Sequence, residues 1–335
     1  MIDFKIIPDA GSHSLADCSI FNSIEYCGIS DRQNQHILIV ECLLNNEKLI
    51  FPFEVFESKL LTFGRFLYQP TYIDGRIPTK EQENAILNSW LAYLKKGRIV
   101  HRITQPNTAS LFQSFPTGAT YCPFGSYRID LQLPTEVLLK NLHPKHRNGI
   151  RSAEKKGAYI KVGNSQLETF HHLYESTMSR SNMHAESLTY FKGLFDSVGV
   201  KNLFCGVVYS VDHEPQGAVL VPFTNFGAHY IWGASAEKVK VTGAINYLHY
   251  SMMMDLKKNG VKFYDFVGAR LSDVTGTKLD GIQKFKKRFG GILHEGYLWK
   301  ADINKLRCNI YDLIAKITGR AKGMDIIDQE IIKLN

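Results

Sequence analysis

The chain has 335 residues, 44% of them hydrophobic and 21% charged, a balance that argues against disorder and leaves room for two core-bearing domains. Forty basic and 32 acidic residues leave a net charge of +8. No stretch approaches the ~20 apolar residues that span a bilayer, and the opening MIDFKIIPDAGSHS, with acidic residues and no apolar run, is not read as a signal peptide. Cys18, Cys27, Cys42, Cys122, Cys205 and Cys308 are scattered, without a C-x-x-C pair or a histidine cluster at metal spacing. Reduced buried thiols, no metal and a cytoplasmic protein are expected.

Phe4 to Pro8 reads as a strand, and the weakly apolar segment Ile20 to Ile29 as helical. His36 to Leu44 and Leu49 to Phe56 are apolar-rich runs joined by Asn45-Asn46-Glu47, a hairpin signal because asparagine tolerates positive φ. Leu60 to Tyr68 adds a third strand before a loop marked by Pro70, Asp74-Gly75 and Pro78. Thr79 to Lys96 is the clearest helix. Thr79 and Gln82 fit a capping box, Ile86, Leu87, Trp90, Leu91 and Leu94 form the buried stripe, and Gly97 is expected to end it. Ile99 to Thr104 returns as a strand.

Pro134-Thr135 starts another helix, and His143-Pro144 breaks it and starts the next. There Arg147, Arg151 and Lys155 share one face, with Ile150 and Ala153 turned inward. Gly157 closes the helix before a strand from Ala158 to Val162. Helices are expected over Leu167–Ser179 and Ser187–Val198, and paired strands over Leu203–Ser210 and Gln216–Phe223 around Asp212-His213-Glu214-Pro215. Tyr230 to Trp232 continues the sheet. Thr242 is expected to cap a helix with the stripe Ile245, Leu248, Met252 and Leu256. A last helix runs near Ile303 to Thr318.

The stretch from Lys262 to Tyr297 carries the most chemistry. A short strand ends in Tyr264 and Asp265, a loop follows with Gly268, Gly276 and Gly281, and Ile282, Phe285 and Phe289 recur at helical spacing before Gly290-Gly291. Lys284, Lys286, Lys287 and Arg288 surround that apolar face. Charge is concentrated here and in one other window. Lys140 to Lys161 holds seven Lys/Arg against Glu154, and Lys278 to Gly291 holds five against Asp280, so the remainder of the chain is slightly acidic. Such clustering points to a polyanionic ligand: phosphate, pyrophosphate or RNA. The plainer reading of either window alone is a solvated helix face.

The order Tyr264-Asp265-Phe266, Gly281-Ile282, Phe285-Lys286 and Phe289-Gly290-Gly291 resembles the signature of the Fem-type family, aminoacyltransferases that build peptidoglycan cross-bridges, within the wider GNAT acetyltransferase superfamily. In the family pattern a glycine follows Tyr-Asp-Phe; here Val267 stands before Gly268. The resemblance covers Leu142 to Trp299, and Leu142 to Gly157 is similar to the Arg-rich helix that opens the family's second domain. It implies an α/β fold with mixed sheets and two tandem GNAT-like domains over residues 1–140 and 141–300, with a helical tail over 301–335. The implied activity moves an activated acyl or aminoacyl group to an amine of a cell-envelope precursor linked to a nucleotide or lipid pyrophosphate. No cofactor is tightly bound; the donor is aminoacyl-tRNA or acyl-CoA. Transfer RNA and a peripheral membrane contact are the further partners it admits. No heptad repeat supports a tRNA-binding coiled-coil arm.

Acyl transfer from an activated donor needs positioning, a charge for the developing oxyanion and a route for the amine proton. Lys286 matches the lysine of the family's Phe-Lys pair, to which oxyanion or donor-phosphate stabilisation is attributed. Phe285 is its packing anchor or a base-stacking surface, with helical spacing favouring packing. Asp265 sits at a strand end, as a proton acceptor or as a structural cap. Lys145, Arg147 and Arg151 are candidates to grip a pyrophosphate, since guanidinium forks match phosphate oxygens. The helix start Thr242-Gly243-Ala244 offers free N–H groups to a cofactor phosphate, and it loosely resembles the acyl-CoA pyrophosphate loop. Two rival functions stand beside the Fem-type reading: an acyl-CoA-dependent N-acyltransferase on a sugar or nucleotide-sugar amine, and a non-enzymatic RNA-binding protein.

Overall fold

The computed structural model describes residues 2–7, 18–29, 35–318 and 323–334. In chain order the strands and helices are β1 (Phe4–Ile7), α1 (Ile24–Cys27), β2 (Gln35–Leu44), β3 (Glu47–Glu57), β4 (Thr62–Phe66), β5 (Thr71–Tyr72), α2 (Lys80–Gly97), β6 (Arg102–Ile103), β7 (Thr120–Asp130), α3 (Thr135–Asn141) and α4 (Pro144–Lys155). The chain continues through β8 (Tyr159–Val162), α5 (Leu167–Arg180), α6 (Leu188–Val198), β9 (Leu203–Tyr209), β10 (Pro215–Pro222), β11 (Ala228–His229), β12 (Trp232–Ser235), α7 (Ala244–Lys258) and β13 (Phe263–Asp265). It ends with β14 (Ala269–Arg270), α8 (Lys278–Lys287), β15 (Ile292–Asp302), α9 (Lys305–Ile317) and α10 (Ile326–Leu334).

The β2–β3 hairpin forms as expected, with Asn45 and Asn46 both at positive φ (51° and 65°), the geometry whose twist matches that of the flanking strands. On α2 the capping box is complete: Thr79 N–H donates to Gln82 Oε1 at 2.8 Å and Gln82 N–H to Thr79 Oγ1 at 3.3 Å. The helix ends one residue later than expected. Arg98, not Gly97, takes the left-handed cap, with φ 51°. Trp90 is fully buried among Phe4, Phe51 and Phe53, so α2 seals the sheet beneath it. The segment from Ile20 to Ile29 is less regular than expected, a 3-10 turn followed by the single turn of α1.

The larger sheet runs β1-β2-β3-β4-β6-β15-β7-β13-β11, with β5 beside β3 and β14 beside β7. Its pairings are antiparallel apart from β4 with β6 and β11 with β13. β15 pairs with β6 at Ala301–Asp302 and with β7 from Ile292 to Lys300, so one sheet passes from the first half of the chain into the second. The strand β7, between β15 and β13, was not anticipated. Pro123 and Gly125 interrupt its apolar run, and the long strand β15 on one side, with short β13 and β14 on the other, supplies the pairing that holds it.

A second sheet, β12-β10-β9-β8, has helices on both faces. Val207, Ala218 and Leu220 pack with Phe170 and Phe191 of α5 and α6, whereas Val208, Val219 and Val221 pack with Ile150 of α4 and Leu248 of α7. Successive residues of one strand thus serve opposite cores, as the two-residue period of a strand requires. At the start of α7 the cap is Gly243, at φ 86° and with no side-chain bond, so Thr242 does not cap the helix as expected. After β15, α9 lies over β4 and β6 through Cys308 and Arg102, and α10 is tied to β14 by the Arg270–Glu330 ion pair at 2.8 Å.

Candidate active site

Three neighbouring strands bring polar side chains to one place. On β7, Ser126 and Arg128 are two residues apart and face the same way; Asp265 of β13 pairs opposite Arg128, and His294 of β15 opposite Ser126. Asp265 is fully buried. Its carboxylate accepts from Arg128 Nε at 2.6 Å, from the Val267 N–H at 2.8 Å and from the Ser126 hydroxyl. Burial alone would raise its pKa, but the Arg128 guanidinium and these donors hold it below the usual carboxylate range. With three donors on it and a low pKa, the carboxylate acts as the counter-charge that fixes the turn after β13.

That turn is strained. Val267 has φ 48° and Gly268 φ 74°, and a β-branched residue in the left-handed region is an outlier that needs its surroundings to hold it. Two groups do so. Asp265 accepts the Val267 N–H, and the Lys286 ammonium donates to the carbonyls of Val267 and of Gly268, the latter at 2.6 Å. Val267, which stands where the family pattern has glycine, is accommodated by these bonds.

Lys286 is the buried residue of α8, only 8% exposed. Burial pushes its pKa down to about 8, opposed by the charge of Asp265. An ammonium has three N–H donors; two hold the turn, and the third has no partner among the described residues. The face of α8 differs from expectation at one end. Ile282 is exposed, because only the last turn and Phe289 reach the core.

Phe285 is half-buried and packs on His146, His249, Phe266 and Phe289. Its ring is a packing anchor. Its carbonyl lies 3.2 Å from His146 Nε2, and the His143 N–H donates to the Arg288 carbonyl at 2.8 Å, so α4 is docked directly on α8. The two basic windows, far apart in the sequence, therefore adjoin. Lys145, Arg151, Lys284 and Lys287 are exposed around that junction. Arg147 is committed differently: one terminal nitrogen donates to the carbonyls of Lys140 and Leu142 at 2.8 and 2.6 Å, closing the end of α3.

Thr242-Gly243-Ala244 lies elsewhere, where α7 crosses α4. A Cβ at Gly243 would lie 2.2 Å from the Gly149 carbonyl oxygen, and Ala244 is buried. The backbone of α4 thus covers that side of the helix start.

His294 was missed by sequence reasoning. It is exposed beside the Arg128–Asp265 pair, and partial burial and the Arg128 charge lower its pKa, so it is neutral near pH 7. A neutral imidazole at the surface of this cluster can take a proton from an amine. Only the register of β15 against β7 reveals it; no local motif marks it.

Residues 111–212 match the model of the FemAB family. This bears out the resemblance read from the sequence. The matched segment contains β7 with Ser126 and Arg128 and the whole of α4; Asp265, Lys286 and His294 lie beyond it. The fold is similar to that of the crystal structure of FemX, with a TM-score of 0.70 and 13% identity over 93% of this chain and 99% of that one. A tandem GNAT protein from the clavulanic acid biosynthesis pathway aligns with a TM-score of 0.53 and 10% identity, over 90% and 99% of the two chains. The C-terminal domain of a putative lysylphosphatidylglycerol synthetase from Agrobacterium fabrum gives 0.52 and 13%, over 90% and 98%. Mixed α/β architecture with tandem GNAT-like units is therefore established. No curated protein matches the chain.

Proposed function

We propose that this chain is a Fem-type acyltransferase that moves an aminoacyl group from aminoacyl-tRNA to an amine of a cell-envelope precursor carrying a pyrophosphate. The observation that carries the reading is the junction of α4 and α8, where two basic windows meet beside the buried Lys286 ammonium. The FemAB match over residues 111–212 supports the reaction class. The division near residue 140 and a cytoplasmic location belong to the same proposal; among the described residues no helix is long and apolar enough to cross a membrane.

In this mechanism the acceptor amine attacks the ester carbonyl of the donor. The third N–H of Lys286 stabilises the tetrahedral oxyanion, in a site where low solvent exposure strengthens that contact. His294 accepts the amine proton. The tetrahedral intermediate then collapses, and the ester oxygen leaves with the donor's 3′ end and takes up the proton that His294 accepted. Asp265 and Arg128 hold the Val267–Gly268 turn on which Lys286 rests. Exposed cations of α4 and α8 bind phosphates of the substrates. The cover of α4 over Gly243 supports tRNA over acyl-CoA as donor, since a coenzyme pyrophosphate has little room at that helix start.

The test is transfer to a nucleotide-pyrophosphate-linked peptide amine. Aminoacyl-tRNA is offered with and without ribonuclease treatment, and coenzyme A thioesters are offered separately. Activity that ribonuclease abolishes is the expected result; activity that survives it and requires the thioester would replace the donor and leave the acyltransferase standing.

A further inference from the structure

We propose that α9 is a docking face for an anionic lipid surface. Leu306, Ile310, Leu313, Ile314 and Ile317 fall at intervals of four, three, one and three, which places all five on one stripe about 100° wide. They are 71%, 49%, 59%, 37% and 76% exposed, and Ile317 and Leu306 are the two most exposed large apolar side chains among the described residues.

The helix is not free to turn this stripe inward. Its opposite side is fixed by Cys308, which is fully buried with Leu61 and Phe63, and by Asp312, whose carboxylate receives both terminal nitrogens of Arg102 at 2.7 and 2.8 Å. Arg307 is held against His101 at 2.9 Å. The apolar face therefore points to solvent by construction.

Charge decides what covers it. Lys305 and Lys316 flank the stripe on one side and Arg307 on the other, all exposed, while the helix's one acid, Asp312, is neutralised by Arg102. An apolar stripe flanked by two lysines on one side and an arginine on the other is the pattern of a helix lying in a membrane interface. A second copy of the chain fits less well. The helix is only ~20 Å long, and one stripe of that length falls short of the ~800 Å² per partner that a stable dimer buries. Two such faces would also set cation against cation. The β3–β4 turn supports the assignment, since exposed Leu60 and Lys59 directly precede Leu61, which packs under α9.

This face lies away from the candidate active site. Asp302, just before α9, lies eight positions along β15 from His294, a span of ~27 Å. The proposal stands without the transferase reading and is tested without any transfer assay.

The full chain is sedimented with vesicles of phosphatidylcholine alone and of phosphatidylcholine mixed with phosphatidylglycerol. It is expected to partition onto the anionic vesicles and far less onto the neutral ones. Replacing Leu313→Glu together with Ile317→Glu should abolish partition at unchanged thermal stability, because both side chains are exposed. Lys305→Gln and Lys316→Gln should each weaken it about fivefold. Absence of partition onto anionic vesicles overturns the proposal. So does a chain that is dimeric by light scattering and becomes monomeric in the Leu313→Glu, Ile317→Glu variant, which would assign the face to a second copy.

Discussion

Two aromatic clusters of similar size serve the two ends of the molecule differently. Around Trp90 of α2 the rings are Phe4, Phe51, Phe53 and Tyr93, all hydrocarbon or phenol. The buried carboxylate of α2, Glu83, accepts from the N–H and hydroxyl of Ser114 through Oε2, and burial pushes its pKa up to about 7. Around Phe289 and Phe285 two of the rings are histidines, His146 and His249, and the Lys286 ammonium sits within the same helix turn. Burial holds both imidazoles neutral, with pKa values pushed down to about 4 and about 3. An apolar side chain would fill either position at less cost. Two buried imidazoles and a buried ammonium gather at the end that holds the strained Val267 turn, where the first cluster has the carboxylate of Glu83.

The largest expected effect breaks the first cluster. Trp90→Ala should cost about 3–5 kcal/mol of stability, because the cavity cannot collapse against a continuous sheet. Urea unfolding measures the loss, and the folded fraction should transfer at the wild-type rate. A drop in its rate would mean that the two ends are coupled through β15.

Lys286→Met tests the second cluster. The isosteric change should lower the transfer rate ~100-fold with little effect on stability, since relief of the desolvated ammonium offsets the two lost carbonyl bonds. The wild-type rate should also fall as pH rises through about 8, where Lys286 loses its charge. If the variant keeps the wild-type rate, Lys286 only braces the turn.

The first cluster was nearly all legible in the sequence and the second only half so. Asn45-Asn46 and the Thr79–Gln82 box are local devices, whose partners lie within four residues, and each formed as read. Lys286 was legible through its place beside Phe285. The rest of the site depends on pairing between distant strands. Arg128 and Ser126 lie on β7, whose alternation Pro123 and Gly125 obscure, and His294 matters only because of its register against them. The same limit explains Arg147. Its one-face spacing with Arg151 was correct, but only the structure places the α3 carbonyls within its reach.

Acid should separate the clusters by a smaller amount. His146, His229 and His249 all have folded pKa values depressed from 6.5 by burial. The unfolded chain therefore binds protons first as pH falls. Their contribution is intact above about 6.5 and is lost progressively between there and about 4 for His146 and His229, and about 3 for His249. Urea midpoints should fall over that window, and His249→Phe should flatten the fall whereas Trp90→Ala should leave its slope unchanged. Equal slopes in the wild type and His249→Phe would remove the histidines as the cause.

The smallest effect divides the two arginines of α4. Arg147→Gln loses two bonds to the end of α3, where the helix dipole favours a cation, and should cost about 1 kcal/mol. Arg151 is exposed, with no intramolecular bond among the described residues, so Arg151→Gln should change stability by less than ~0.5 kcal/mol. Its effect should fall on the substrate instead. If the α4–α8 junction grips the acceptor pyrophosphate, Arg151→Gln raises the acceptor's KM at unchanged kcat, because the contact is equal in ground and transition states. It also makes that KM less sensitive to salt, since one screened charge pair has gone. The reverse pattern would be informative in a specific way. A higher KM for the donor, with the acceptor unaffected, would move the exposed face of α4 to the tRNA side and leave Lys284 and Lys287 of α8 to hold the acceptor.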